Sequence, residues 1–531
     1  MITLPTGTGK TLTSLSFALK LRNRIKGELE YTPKIIYSLP FLSIIEQTDD
    51  VFKDVLESEI VKYTKNIDSN NRVLLKHHSL SEIEYGMKIG DKKLDINKSE
   101  FLINIWNSEI ILTTFDQVLY SAFSRNRAFI MRFHNLFNSI LIFDEVQSIP
   151  YKLWHLIREF FKVLSRVGNT YLILMTATKP MIFKENEEIL ELVPDVDSYF
   201  EKFDRVKLHS QVGTIISFED YKQVILKAIR RNPERDIMIV LNTIESSIDM
   251  YEFLTSKKDI SNRDFCYLSS NVIPKDRIVR IQKIKDERGE KSKVIVTTQC
   301  IEAGVDIDVD IIFRDFAPLD SINQVCGRCN RHNVKEKGDV YVHKVKNNEG
   351  KEFSNFIYRD NGSNIRLDIT QNLLPLEVID EPQFLDLNEK YFTEINERKA
   401  DSKSKSILDN LCELKFSEWD IRKELRGDDF KETVFVIKDD ESKRIFDEYK
   451  RIMGLKDWKK RREGILEIRK GLAENSVSIT VYNGLIKRRD EKYQLNQIIS
   501  EYGGIYYVEN EYYDKEIGFD PTKSSPAKYI F

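Results

Sequence analysis

The residues with the clearest chemistry lie at the front of the chain, in Leu4-Pro5-Thr6-Gly7-Thr8-Gly9-Lys10-Thr11. Gly7 and Gly9 let the backbone turn tightly enough for its N–H groups to face phosphate oxygens. A helix starting near Lys10 would aim its positive dipole end at the same oxygens. Lys10 is then placed to reach the β- and γ-phosphates of a nucleotide, and Thr11 to hold Mg²⁺. The full eight-residue pattern opens with Gly, and Leu4 stands there instead; Gly-Thr-Gly-Lys-Thr is intact. The bland alternative is a chance glycine turn before a helix. A second motif argues against it: Asp144-Glu145-Val146-Gln147 follows the apolar run Ser139-Ile140-Leu141-Ile142-Phe143. Two acids at the carboxyl end of a buried parallel strand sit where doubly wound sheets bind ligands. Asp144 could hold Mg²⁺ through its water shell, and Glu145 could orient and deprotonate an attacking water.

A third set lies near the middle, in Gln324-Val325-Cys326-Gly327-Arg328-Cys329-Asn330-Arg331. Arg328 and Arg331 are three apart and on a helix would share a face. Two guanidinium forks so placed suit a triphosphate. Cys326 and Cys329 invite a zinc reading, but the chain has no second cysteine pair nearby, and His332 and His343 fall on different expected elements.

These residues need a scaffold, and the pattern between them supplies one. Apolar runs at 34–41, 109–112, 139–143 and 171–175 alternate with helical periodicities, and the later ones end in Thr113-Thr114-Phe115-Asp116 and Thr176-Ala177-Thr178. The alternation restarts after residue 207. Strands are expected at 236–241, ending in Asn242-Thr243, at 293–296, running into Thr298 to Asp308, and at 310–313. The expected class is α/β with parallel sheets. Beyond residue 360 no catalytic pattern appears. There a mixed-charge stretch leads into helices, a basic cluster Lys459-Lys460-Arg461-Arg462 flanks Trp458, and short aromatic strands close the chain. The basic cluster suits either a nucleic-acid strand or plain solvation.

Composition bounds the rest. With 531 residues, roughly three domains are expected. Lys plus Arg number 82 against 85 Asp plus Glu, so a nucleic-acid partner would need a locally basic groove. Five scattered cysteines argue for a reducing, cytoplasmic setting. No run approaches the ~18 apolar residues of a membrane span, and the first residues do not read as a signal peptide.

In their order, these motifs resemble the superfamily-two helicases, and more narrowly the CRISPR-associated helicase of type I systems. The narrower likeness rests on Asp144-Glu145-Val146-Gln147, on His77-His78-Ser79 and on Gln299-x-x-Glu302-Ala303-Gly304-Val305-Asp306. The resemblance implies two tandem RecA-like lobes (1–205 and 206–360), a linker with helices (361–430) and a smaller α+β accessory domain (431–531). It implies ATP and Mg²⁺ as cofactors, cradled by Thr6, Gly7, Thr8, Gly9, Lys10 and Thr11. Asp144 and Glu145 would act in hydrolysis, with Gln324, Arg328 and Arg331 completing the site and Gly304 and Asp306 linking nucleotide state to lobe closure. Thr114, Asn242 and Thr298 would touch the nucleic-acid backbone, and Thr176, Thr178 and Gln147 would couple hydrolysis to movement. The activity implied is 3′ to 5′ translocation on single-stranded DNA, recruited by a crRNA-guided surveillance complex. The family's nuclease carries a His-Asp signature, and none of the seven histidines here precedes an Asp. A nuclease is therefore expected in a separate HD chain or domain. The family also places residues ahead of the P-loop, and this sequence begins at it. Two other readings stand beside this one: a different motor of the superfamily, such as an RNA helicase or restriction-type translocase, and a binding module that has lost hydrolysis.

Overall fold

The computed structural model describes residues 1–63, 70–78, 88–89, 92–93, 96–184, 187–285, 291–302, 306–332, 336–359, 364–375, 377–399, 401–426, 431–480 and 499–520. The chain forms two compact units, Met1–Phe203 with Leu385–Gly427, and Asp204–Phe384 with Asp428–Phe531.

In the first unit six strands form a wholly parallel sheet: β1 (Ile2–Thr3), β2 (Lys34–Leu39), β3 (Leu74–His77), β4 (Ile110–Thr114), β5 (Ser139–Phe143) and β6 (Tyr171–Thr176). Their spatial order is β1-β6-β5-β2-β4-β3. Every residue of β5 is buried, as its unbroken apolar run requires when helices cover both faces. The helix Trp154–Arg166 shows how those faces are covered, because Trp154, Ile157, Phe161 and Leu164 recur at helical spacing and all are buried.

The stretch read from sequence as a linker does something more specific. Helices Phe384–Arg398 and Ser402–Cys412 return to the first unit. Ser404 Oγ donates to the Lys152 carbonyl at 2.5 Å, Glu389 pairs with Lys179 at 3.1 Å, and the Trp154 and Phe392 rings lie 6.0 Å apart. These helices pack against the segment 151–166, a long-range contact that local pattern does not reveal.

The second unit is built on a seven-stranded sheet: β7 (Val206–Ser217), β8 (Ile237–Val240), β9 (Asp264–Leu268), β10 (Lys293–Thr297), β11 (Ile311–Asp315), β12 (Gly338–Lys346) and β13 (Val378–Asp380). The order is β9-β10-β8-β11-β12-β7-β13, parallel except for β13. A smaller four-stranded mixed sheet, spanning Lys431–Val436, Ser476–Thr480, Ser500–Tyr502 and Ile505–Val508, carries the helices Asp440–Met453 and Trp458–Glu474. Its apolar face packs on Ile273, and Asn271 Nδ2 donates to the carbonyls of Ile517 and Phe519 at 2.8 and 2.9 Å. Among the described residues no helix is long and apolar enough to cross a membrane.

One buried ion pair ties the edge of this unit to its arginine motif. Glu381 holds Arg205 through Nε at 3.1 Å and Nη2 at 2.5 Å, and Arg205 Nη1 donates to the Arg331 carbonyl at 3.3 Å. Removing one partner of a buried pair strands the other charge, at a cost of about 3–5 kcal/mol. Glu381→Ala should lower the urea midpoint of the second unit accordingly, and the double replacement Arg205→Met with Glu381→Met should recover most of the loss. A loss below ~1 kcal/mol in the single variant would refute this account.

Candidate active site

The phosphate loop has the backbone that its glycines foretell. Gly7 and Gly9 have φ of 89° and 77°, and the helix Lys10–Leu29 starts immediately after them. Thr8 Oγ1 donates to the Pro5 carbonyl at 2.9 Å, closing the turn. Leu4, where the full pattern has Gly, is not among the residues with positive φ, and its side chain is buried in the first core. Its carbonyl accepts from Lys10 Nζ at 3.3 Å. Leu4 is thus tolerated because only its backbone faces the loop. Thr6, Gly7, Thr8, Gly9, Lys10 and Thr11 form one continuous turn into the helix.

The acidic pair meets this loop. Asp144 follows β5, and its backbone N–H donates to the Ser38 carbonyl at 3.0 Å. Asp144 Oδ2 accepts from the Tyr37 hydroxyl at 3.2 Å, while the buried Oδ1 has no hydrogen-bond partner. Burial, and then the neighbouring charge of Glu145, push the Asp144 carboxyl up to about 7 against the pull of Lys10. Glu145 has φ 57° and ψ 47°, a left-handed conformation that costs a non-glycine residue ~1–3 kcal/mol. That turn brings Glu145 Oε1 to 3.7 Å from Lys10 Nζ. The other oxygen accepts from Gln147 Nε2 at 2.5 Å, Gln147 Oε1 accepts from Thr176 Oγ1 at 2.9 Å, and Thr178 N donates back to Thr176 Oγ1 at 2.9 Å. Lys10, Glu145, Gln147, Thr176 and Thr178 are therefore one connected chain across β5 and β6.

Whether these residues suit Mg²⁺ can be judged on the partnerless Asp144 oxygen. A buried carboxylate oxygen beside a phosphate loop fits a cation's water shell. Among the described residues no group of three or more His, Cys, Asp or Glu could hold a metal. A cation here would depend on Thr11, water and phosphate oxygens, as Mg²⁺ commonly does.

In the second unit the arginine motif departs from its helical reading. The helix Leu319–Cys326 stops at Gly327. Arg328 N–H donates to the Val325 carbonyl at 2.9 Å, Cys329 bridges to Val309, and Asn330 takes φ 45°. Pairing with the strand edge at Val309 outcompetes further helix, so Arg328 and Arg331 do not share a helix face. Arg328 instead donates to the Glu302 carbonyl at 3.0 Å, and Arg331 Nε pairs with Asp306 Oδ1 at 2.9 Å, leaving its buried Nη1 without a hydrogen-bond partner. Gln324 is half-buried on the same helix, and Gly304 lies outside the described residues. Cys326 and Cys329 are buried, with Cys329 Sγ donating to the Asp310 carbonyl at 3.4 Å, and burial raises both thiols.

Residues 233–334 match the family described as CRISPR-associated nuclease/helicase Cas3, C-terminal, and residues 1–181 match type III restriction enzyme, res subunit. The CRISPR-associated nuclease/helicase Cas3 of Haloferax volcanii is 26% identical over 421 residues, a match covering 62% of this chain and 44% of the relative. That of Methanothermobacter thermautotrophicus is 26% identical over 348 residues, covering 62% and 38%. In sequence the chain is thus similar to the Cas3-type superfamily-two helicases. It spans less than half the length of these two curated relatives. The fold agrees: the crystal structure of T. fusca Cas3 superposes with a TM-score of 0.67 at 15% identity, covering 98% of this chain and 68% of that one. The AMPPNP form of the same protein gives 0.65 at 14%, with the same coverage. A chain of a CRISPR RNA-guided surveillance complex, pre-nicking, gives 0.57 at 13%, covering 98% and 67%.

The residues expected to touch nucleic acid differ in what they present. Thr114 is half-buried and caps the helix Phe115–Phe123 by accepting from Gln117 N–H at 3.3 Å. Asn242 is turned inward: Nδ2 donates to Asp315 Oδ2 at 2.7 Å and to the Phe316 carbonyl at 2.8 Å, while Oδ1 accepts from Arg314 Nη1 at 2.7 Å. Its side chain braces the strand end rather than facing solvent. Thr298 is also buried, with its hydroxyl 3.3 Å from Ser269 Oγ. The brace depends on Arg314, which sequence reasoning passed over. Its fully buried guanidinium reaches Glu302 Oε1 at 2.8 Å, Ser321 Oγ at 3.1 Å and the Tyr358 hydroxyl at 2.8 Å. An arginine inside the apolar run Ile311–Asp315 was the available signal. Tyr37, inside β2, was likewise missed.

The buried acid has a consequence for stability. The folded Asp144 carboxyl keeps its proton to about pH 7, whereas its ordinary value is 3.8. Between those limits the unfolded chain has lost a proton that the folded one retains, so stability falls as pH rises, and the full cost stands above pH 7. Asp144→Asn should therefore raise the denaturation midpoint of the nucleotide-free protein at pH 8, on the order of 1–3 kcal/mol. The gain should shrink as the pH falls toward 4. A gain that is constant with pH would show that its source is something other than this charge.

Proposed function

We propose that the chain is an ATP-driven single-stranded DNA translocase of CRISPR interference. The observation that carries this reading is the connected array of Lys10, Glu145, Gln147, Thr176 and Thr178 beside the partnerless oxygen of Asp144. A nucleoside triphosphate would lie on the N–H groups of Thr6 to Thr11. Lys10 Nζ, held only at 3.3 and 3.7 Å by the Leu4 carbonyl and Glu145, exchanges Glu145 for phosphate oxygens at little cost. That exchange leaves Glu145 Oε1 free to accept the proton of the attacking water, while Gln147 keeps the carboxylate oriented. Bound Mg²⁺, held through Thr11 and Asp144, supplies charge neutralisation of the phosphates. Thr176 and Thr178 report the state of Gln147 to the end of β6, which is the coupling role. In the second unit Arg328 and Arg331 are assigned to transition-state charge, Gln324 to nucleotide contact, and Gly304 and Asp306 to sensing nucleotide state. Thr114, Asn242 and Thr298 are assigned to the DNA track, Asn242 through its brace.

The partners in this reading are single-stranded DNA, a crRNA-guided surveillance complex and an HD nuclease in another chain or domain. The nuclease is assigned elsewhere because no His-Asp dipeptide occurs among the seven histidines. The match of residues 1–181 to a restriction-enzyme family supports one other motor reading, a restriction-type translocase.

ATP turnover by the purified chain decides between them. Single-stranded DNA should stimulate turnover more than RNA or intact duplex does, and Glu145→Gln should lower it by roughly 100- to 10,000-fold while nucleotide still binds. If the unmodified chain turns over no faster than the Gln variant, it is a binding module and the motor reading fails. Stronger stimulation by duplex would favour the restriction-type motor.

A further inference from the structure

One buried hydroxyl joins the two elements that present the proposed cation ligands. Tyr37 is fully buried in β2, the strand between β5 and β4. Its ring packs edge-on against Phe52 with centroids 5.2 Å apart, which fixes where the hydroxyl points. The hydroxyl lies 3.2 Å from Asp144 Oδ2, 3.3 Å from Ser14 Oγ and 3.8 Å from Met175 Sδ.

Proton counting orders these contacts. Ser14 Oγ spends its one proton on the Thr11 carbonyl at 2.9 Å, so toward Tyr37 it can only accept. The Tyr37 proton then has three acceptors within reach, Asp144 Oδ2, Ser14 Oγ and Met175 Sδ, and the carboxylate is the strongest of them. Given to Asp144 Oδ2, that proton anchors one carboxylate oxygen and leaves Oδ1, the oxygen without a partner, as the one presented to a ligand. The same phenol oxygen stays in contact with the first turn of the helix that carries Thr11.

We propose that Tyr37 is a positioning residue for the divalent cation of the nucleotide site, holding Asp144 so that Oδ1 faces the cation and keeping that carboxylate in register with Thr11. This rests on the nucleotide-binding reading above. Tyr37 does not touch substrate. It acts by removing the freedom of Asp144 to rotate, so its loss should weaken the cation and leave metal-free nucleotide binding intact.

The test is the affinity of the fluorescent nucleotide mant-ADP for the whole chain, measured in EDTA and then across a Mg²⁺ titration. Tyr37→Phe keeps the ring and its packing on Phe52. It should leave the affinity in EDTA unchanged and raise the half-saturating Mg²⁺ concentration roughly three- to tenfold, the range for one lost hydrogen bond of ordinary net strength. Met175→Leu, which alters the same ring's surroundings without touching Asp144, should leave both unmoved. An unchanged Mg²⁺ titration in Tyr37→Phe overturns the inference, as does an equal loss in EDTA, which would mean that Tyr37 only supports the loop. If Tyr37→Phe does not fold, 3-fluorotyrosine at position 37 replaces it. That substitution changes the strength of the donated bond at nearly constant shape, and a shift below twofold in half-saturating Mg²⁺ would overturn the inference. Failure of the unmodified chain to bind mant-ADP under any condition sinks the nucleotide reading itself, a result distinct from the other two.

Discussion

The first unit depends on a single lysine beside two carboxylates, Asp144, which the fold has taken out of water, and the half-buried Glu145. Burying a carboxylate without full compensation is among the most costly things a protein core can do. Here the cost is carried by Lys10 and Tyr37, and it sets what the neighbouring elements must be. The strand leading into Asp144 must be wholly apolar and central, because only a buried strand end brings an acid to the mouth of the phosphate loop while keeping bulk water away. Glu145 must then leave the strand direction at once, which it does by adopting a left-handed conformation. The connected bonds through Gln147 to Thr176 keep that strained turn in place. Strain at Glu145 and burial at Asp144 are thus two results of one placement.

The same reasoning explains why Leu4 is harmless. A glycine is needed in a phosphate loop where φ is positive or where a Cβ would press on phosphate, and in this chain Gly7 and Gly9 occupy the positive-φ places. Leu4 contributes a carbonyl to Lys10 and a side chain to the core. The departure from the eight-residue pattern changes packing behind the loop and leaves its phosphate-facing surface alone.

Much of this was legible in the residues. Apolar runs ending in polar residues marked the strands that matter, because a strand buried on both faces has little choice of composition. The loop and the acidic pair were legible for the same reason: phosphate binding and water activation admit few side chains. What stayed hidden falls into two kinds. The return of 385–426 to the first unit is a contact across some two hundred residues, and nothing in an amphipathic helix says which unit it will join. The other kind is polar residues inside apolar strands. Tyr37 and Arg314 look like interruptions of a hydrophobic run, and only the contacts of Tyr37 with Asp144 and of Arg314 with Glu302 and Asn242 give them a purpose. The helix that ends at Gly327 was misread rather than hidden, since a spacing of three between arginines is compatible with a helix and also with a turn pinned to a neighbouring strand.

The two units also pose the same electrostatic problem and answer it differently. Each ends a central strand in a buried aspartate with one partnerless oxygen, Asp144 in the first and Asp315 in the second, and burial pushes each carboxyl up to about 7. Beside Asp315 stands Arg314, whose guanidinium is committed to Asn242, Glu302, Ser321 and Tyr358 at 2.7 to 3.1 Å. A fork bonded on so many sides has nowhere to go. Beside Asp144 stands Lys10, with a carbonyl at 3.3 Å and a carboxylate at 3.7 Å as its contacts. An ammonium is a compact point charge on a flexible stem, and contacts that long are easily exchanged. The arginine is therefore suited to keeping a strand end in one shape, and the lysine to giving up its resting partner when a stronger anion arrives. Interchanging the two would cost each unit what it needs: Lys at 314 would bring one nitrogen to partners now served by two, and Arg at 10 would hold Glu145 in a bidentate grip that an incoming phosphate would have to break.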